Sequence, residues 1–343
     1  MLITFIDDLV SFDGHSADSV PLGGPEKNLI SLAVALAKRG HTVRVFNRCK
    51  KSVVANGVGW QPIEECDAAY SDWLIAHRDP SLLRRVPNAV RTAVWAVANA
   101  EYLDHSGSLS VIAARETVLI LQSLAQSLTV PKILQSNAAE VVVPASLDCY
   151  RTVTGMTPCE PANAVVTTHP ANGLNWLLGI WLNHVMARIA TAELHIYSSI
   201  LARGAAGGEC PASLRSILDR ALGAREKGVK IFQPLPDDKM SEVYRRARLH
   251  LYPSHDRDLI CTTLGDSQAV GLPAVARDKG AARERLLNGK SGYLATTDED
   301  FADFTARILE DNTIFSKLSK TAKMRQRNRT WDHVAADFER ALS

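Results

Sequence analysis

Short apolar runs alternate with stretches of helical apolar spacing along nearly the whole chain, a pattern that predicts a mainly parallel α/β sheet. The opening segment is the plainest. LITFI reads as a buried strand, the polar loop DGHSADSVPLGGPEK follows, and NLISLAVALAKRG carries Leu29, Leu32, Ala33 and Leu36 on one helical face before stopping at Gly40. HTVRVF, with alternating Val43 and Val45, completes a βαβ repeat. Further strands are expected at AVRTAVWAV, LSVIAA and PKILQS, with RETVLILQSLAQSL as the helix between the last two. Residues 144–163, PASLDCYRTVTGMTPCEPAN, carry Pro144, Gly155, Pro158 and Pro161 with few apolar pairs and read as an interdomain linker. A second βα series follows. Strands are expected at AVVTTH, AELHIYS, VKIFQPL, RLHLYPS and LPAVAR, and a short one near Gly292 and Tyr293. Helices are expected at NGLNWLLGIWLNHVMARI, 211–225, DDKMSEVYRRA, 263–270, 301–309 and 331–342.

Composition sharpens this only in part. At about 150 residues per domain, 343 residues suggest two domains. A formal charge of +2 argues against a nucleic-acid partner. No stretch reaches the roughly 18 uncharged apolar residues of a membrane span, and the start MLITFIDD does not read as a secretory signal. The six cysteines form no CxxC pair, so no zinc site is suggested, and they read as reduced thiols of a cytoplasmic protein. Lys38, Arg39, Arg44, Arg48, Lys50 and Lys51 form a local basic patch, read as a solvated helix end and strand edge or as a weak dock for anionic lipid heads at the inner membrane face.

Two segments are candidates for chemistry. In LGGPEK, Gly23 and Gly24 stand between the first strand and its helix, where backbone N–H groups can meet an anion. In LHLYPSHDRDLICTTLGDSQAVGLPAVA, Asp258 and Asp266 lie eight apart, and the amides of Cys261, Thr262 and Thr263 open a helix. A carboxylate at the C-terminal edge of a parallel sheet is placed to accept hydrogen bonds from sugar or ribose hydroxyls.

Several ordered segments then carry a resemblance. PLGGPEKNLISLAVALAKRGHTVRVF, HIYSS, VKIFQPLPDDKMSEVYRRARLHLYPS, SQAVGLPAVARDKGAARERLLNGKSGYL and TWDHVAADFERAL resemble the GT-B glycosyltransferases, in particular the retaining, nucleotide-sugar-using family 4. The resemblance implies two Rossmann-like domains facing across a cleft. Residues 1–150 would take the acceptor, 151–326 would bind the nucleotide sugar, and 327–343 would return to the first domain. It also implies that the glycine loop closes onto the donor phosphates.

By the same resemblance, Asp258 matches the family's glutamate that contacts the donor sugar, and Asp266 the one that holds the ribose; each is one methylene shorter here. Where the family clamps the diphosphate with cations, this chain has Asn172 and Thr167 or Thr168, with His169 nearby as a substitute or a local cap. His105 is the candidate for the family's acceptor-side histidine. No DxD stands in a suitable loop, so no metal and no cofactor is expected beyond the nucleotide-diphospho-sugar substrate. The reaction implied is sugar transfer to a hydroxyl acceptor. The missing donor-site cations and the shortened acids motivate an alternative to this leading reading, a non-catalytic GT-B partner or regulatory subunit; a GT-B sugar-nucleotide epimerase is a further reading.

Overall fold

The computed structural model describes residues 1–66 and 70–343. The chain forms two compact units, Met1–Ala145 with Arg329–Ser343, and Ser146–Asn328.

The first unit is built on strands β1 (Leu2–Ile6), β2 (Thr42–Asn47), β3 (Val53–Ala55), β4 (Val58–Pro62), β5 (Ser71–His77), β6 (Ala89–Trp95), β7 (Val118–Leu121) and β8 (Ala138–Val141). They lie in the order β3-β4-β2-β1-β5-β6-β7-β8, parallel except for β3 against β4. Helix α1 (Gly24–Lys38) has Gly23 as its N-cap and Pro25 in its first turn, and beyond its end Gly40 takes φ +92°. Its Leu29, Leu32, Ala33 and Leu36 face the sheet. The last helix, Trp331–Ala341, is capped by Thr330 and lays Phe338 against Phe5 and Trp95, with ring centroids 6.0 and 5.7 Å away.

Within this unit three sequence expectations fail. LSVIAA, expected as a strand, lies in helix α2 (Ser106–Ala114). The segment expected as a helix, RETVLILQSLAQSL, instead holds strand β7 and only a short turn of helix, Leu124–Ser127. PKILQS is 3-10 structure (Lys132–Asn137), followed by β8. The cause is physical: a strand covered on both faces is a continuous apolar run, and a run that short does not separate from a buried helix by period. Glu116, at φ +47°, turns the chain from α2 into β7.

The basic patch is also dispersed. Lys38 and Arg39 stand before β2, whereas Arg48, Lys50 and Lys51 follow its far end. Arg39 is bound to Glu339 and Asp332, Arg48 to Asp8, and Arg44 reaches the Tyr70 carbonyl. Among the described residues no helix is long and apolar enough to cross a membrane.

The second unit holds β9 (Asn163–Val166), β10 (Glu193–Tyr197), β11 (Val229–Phe232), β12 (Leu249–Tyr252), β13 (Ala274–Arg277) and β14 (Gly292–Ala295), all parallel, in the order β11-β10-β9-β12-β13-β14. Helix α3 (Leu174–Ile180) continues through a π-helical stretch, Trp181–Val185, and its Leu174, Leu177, Leu178 and Trp181 are core. Helices α4 (Asp237–Arg246) and α5 (Thr262–Val270) flank β12 in the chain. Helices Ser199–Ala205 and Asn312–Arg327, unread in the sequence, complete the unit.

Candidate active site

The strand order of the second unit reverses direction between β9 and β12, so that β10 and β11 lie to one side and β13 and β14 to the other. In open parallel sheets ligands bind beyond the carboxyl ends of the strands at such a switch point. The loops leaving β9 and β12 there are 167–173 and 253–261. They touch: a Cβ on Gly173 would lie 3.1 Å from both Cβ and the carbonyl oxygen of Pro253, and Gly173 has φ +91°, so both space and backbone conformation favour glycine.

A neutral hydrogen-bond chain joins the two sides. His250 on β12 is fully buried. Its Nδ1 is 2.7 Å from Ser267 Oγ, and that hydroxyl donates to the Leu264 carbonyl at 3.0 Å. Ser267 therefore accepts from Nδ1–H, which leaves Nε2 to accept from Thr167 Oγ1 at 3.2 Å. Burial pushes the imidazole down to about 3, so it is neutral at physiological pH. The hydroxyl of the next residue after Thr167, Thr168, is buried with no partner among the described residues.

Asp258 is tied into its own loop. Its Oδ2 accepts from the Tyr252 hydroxyl at 2.6 Å and its Oδ1 from the Cys261 amide at 3.2 Å. Its backbone carbonyl accepts from Ala281 N at 2.9 Å. Cys261, in the left-handed region at φ +51°, is the N-cap of α5. Its thiol is pushed well up, by burial first and then by Asp258, and is inert as a nucleophile. Thr262 and Thr263 are half-buried in the first turn of α5, where backbone N–H groups have no intrahelical acceptor.

Asp266, 2% exposed, sits one turn further along the helix. The Tyr150 hydroxyl, which donates to Asp237, is pushed up by burial first and then by the Asp266 and Asp237 charges. His169 is exposed and its Nδ1 accepts from Ala171 N at 3.2 Å, while Asn172 N donates to the His169 carbonyl at 2.8 Å. These two residues thus build one turn. A cation that sequence reading missed lies under α5: Arg285, 5% exposed, donates from Nε to the Ile260 carbonyl at 3.0 Å, with NH1 near Gly265. Nothing in RERLL marks which of its two arginines turns inward.

The remaining predicted residues, Gly23, Gly24 and His105, belong to the first unit. His105 is exposed at the start of α2 and its side chain makes no capping bond. Gly23 has an ordinary φ of −66° and Gly24 is helical, so neither is glycine for the sake of a left-handed turn. What a side chain at 23 would meet is Oε2 of Glu26, the far end of a side chain whose other oxygen Arg78 holds.

Glu26 belongs to a cluster that sequence reading missed altogether. Arg78 donates to Glu26 and, at 3.2 Å, to Asp7 Oδ2. His77 Nδ1 lies 2.6 Å from the same Asp7 oxygen, while Asp7 Oδ1 accepts from Leu9 N at 3.0 Å. Asp7, Glu26 and His77 are all buried. Burial pushes the Asp7 carboxyl up, but the His77 hydrogen bond and the His77 and Arg78 charges outweigh it and hold it below the usual carboxylate range. Burial pushes His77 down despite Asp7, so Nδ1–H is the donor. The sequence signal was present but diffuse: Asp7 and Arg78 directly follow strands.

Two sheets with helices over them and a switch-point site define the GT-B class of α/β folds. Solved structures sharing it include the sucrose-phosphate synthase of Thermosynechococcus elongatus, 15% identical, covering 99% of this chain and 98% of that one at a TM-score of 0.73. WaaG, a glycosyltransferase involved in lipopolysaccharide biosynthesis, is 13% identical with 98% of each chain covered and a TM-score of 0.68. HepE of Anabaena, solved with UDP and glucose, is 12% identical, covering 100% of this chain and 99% of that one at 0.68.

Within the second unit, residues 164–311 match the family described as glycosyl transferases group 1. The D-inositol 3-phosphate glycosyltransferase of Rhodococcus erythropolis is 28% identical over 120 residues, 34% of this chain and 27% of that protein. The same-named protein of Thermobispora bispora is 30% identical over 126 residues, 36% of this chain and 29% of that protein. Each match therefore spans less than a third of the relative's length.

Proposed function

We propose that this chain is a metal-independent, retaining glycosyltransferase that binds a nucleotide-diphospho-sugar at the switch point of its second unit and passes the sugar to a hydroxyl acceptor. One observation carries the reading. The loops after β9 and β12 meet over a neutral hydrogen-bonded frame, and beside them opens the first turn of α5, whose amides have no intrahelical acceptor. In this reading those amides and the Thr262 and Thr263 hydroxyls meet the diphosphate, Arg285 adds positive potential from below, and Asp258 and Asp266 serve the sugar and ribose. The match to glycosyl transferases group 1 over 164–311 supports it. The relatives' name suggests a phosphorylated polyol as the first acceptor class to try.

The test is nucleotide release from a panel of nucleotide sugars, with the anomeric configuration of the product read by NMR. Asp266→Asn, checked for an unchanged thermal midpoint, is expected to weaken nucleotide binding at least tenfold by calorimetry. Failure of the folded chain to bind any nucleotide would sink the proposal. That result would favour a non-catalytic GT-B subunit, a reading to which the committed Asp258 oxygens and the buried Asp266 lend weight.

A further inference from the structure

The charged cluster at the carboxyl edge of the first unit's sheet goes unused by that reading. Its centre is Arg78, which follows β5 and takes φ +78°, a conformation L side chains rarely adopt. The backbone there is held on both sides: Arg78 N donates to the Trp95 carbonyl at 3.1 Å, and the Tyr102 hydroxyl donates to the Arg78 carbonyl. This locked turn aims the guanidinium at two carboxylates from distant segments, Asp7 after β1 and Glu26 in the first turn of α1. Glu26 in turn lies against Gly23, leaving no room for a Cβ.

We propose that Arg78 is a positioning residue that clamps the Gly23–Gly24 loop through Glu26, and that this clamp is why residue 23 must be glycine. The proposal rests on the glycosyltransferase reading, in which this loop contacts substrate. Removing the guanidinium leaves two buried carboxylates without their shared counter-charge, so Glu26 leaves its place beneath Gly23 and the loop loses its fixed form. Lysine keeps the charge but cannot fork between Asp7 and Glu26, so it restores the loop only in part.

The experiment is a double-mutant cycle on the full chain, read both as kcat/KM per folded molecule and as thermal midpoint. Gly23→Ala and Arg78→Gln are each expected to lower kcat/KM about tenfold or more, with Arg78→Lys between Arg78→Gln and wild type. In the Glu26→Ala background, Gly23→Ala should cost less than twofold and add little to the midpoint shift, because the overlapping oxygen is gone. Independent losses in the cycle, or midpoints that fall while kcat/KM stays at the wild-type value, overturn the proposal. The thermal half needs no substrate. If wild-type chain transfers no sugar, the transferase reading falls on its own, and additive midpoint shifts of Gly23→Ala and Glu26→Ala would separately overturn the clamp.

Discussion

Past the carboxyl ends of β1 and β5 the first unit pairs the buried carboxylates of Asp7 and Glu26 with the half-buried guanidinium of Arg78. Past β9 and β12 the second unit joins the buried His250 and Ser267 to the half-buried Thr167 as neutral partners. Both arrangements fix loops at the edge of a parallel sheet, but they fail differently. A buried ion stripped of its partner costs about 3–5 kcal/mol, whereas a buried neutral group left unsatisfied costs about 1–3 kcal/mol. The first edge is therefore intolerant of single substitutions, and the second degrades gradually.

The largest effect expected from this contrast is Asp7→Asn. It takes away one of the two carboxylates that Arg78 bridges, together with the charge that His77 faces, and should destabilise the first unit by about 3 kcal/mol in denaturant titration. Ser267→Ala removes the acceptor of a fully buried imidazole N–H and should cost the second unit about 1–2 kcal/mol. Equal losses for the two would erase the contrast.

Acid sharpens it further. His250 titrates near 6.5 when unfolded and at about 3 when folded, so between these values the unfolded chain binds the extra proton. Stability is thus complete above about 6.5 and declines as pH falls towards 3. His250→Asn should flatten that slope in a calorimetric pH series, and an unchanged slope would assign it to other groups. Asp7 acts in a lower window: its carboxyl is held below the usual range, so its contribution is present above about 3.9 and is lost as pH falls through the folded value. The smallest effect belongs to exposed pairs at neither edge. Arg283→Ala, losing its link to Asp278, should shift stability by no more than about 0.5 kcal/mol.

The same contrast explains what the sequence disclosed. The strands of the second unit were legible because turn residues or charged helices bound each apolar run, and Asp258 and Asp266 share one short segment. The Asp7–Glu26–His77–Arg78 cluster draws on three segments that only the sheet order β1-β5 and the helix above it bring together. No local spacing encodes that. Nor did residue type reveal that His250 is a relay fixed in one tautomer, since that follows from what Ser267 donates to. In 106–141 the strand and helix assignments were exchanged because runs such as VLIL have no period to read.

The first unit is discontinuous in sequence: Phe338, from the last helix, covers Phe5 and Trp95. On a ribosome moving at about 5–20 residues per second, the roughly 180 residues of the second unit take some 10–40 s to emerge before that helix exists. When that interval ends the second unit has its whole sequence, while the first sheet still carries an uncovered aromatic seam. The order of birth therefore favours a second unit that folds first, and a nascent first unit that is the natural client of any chaperone waiting at the exit tunnel.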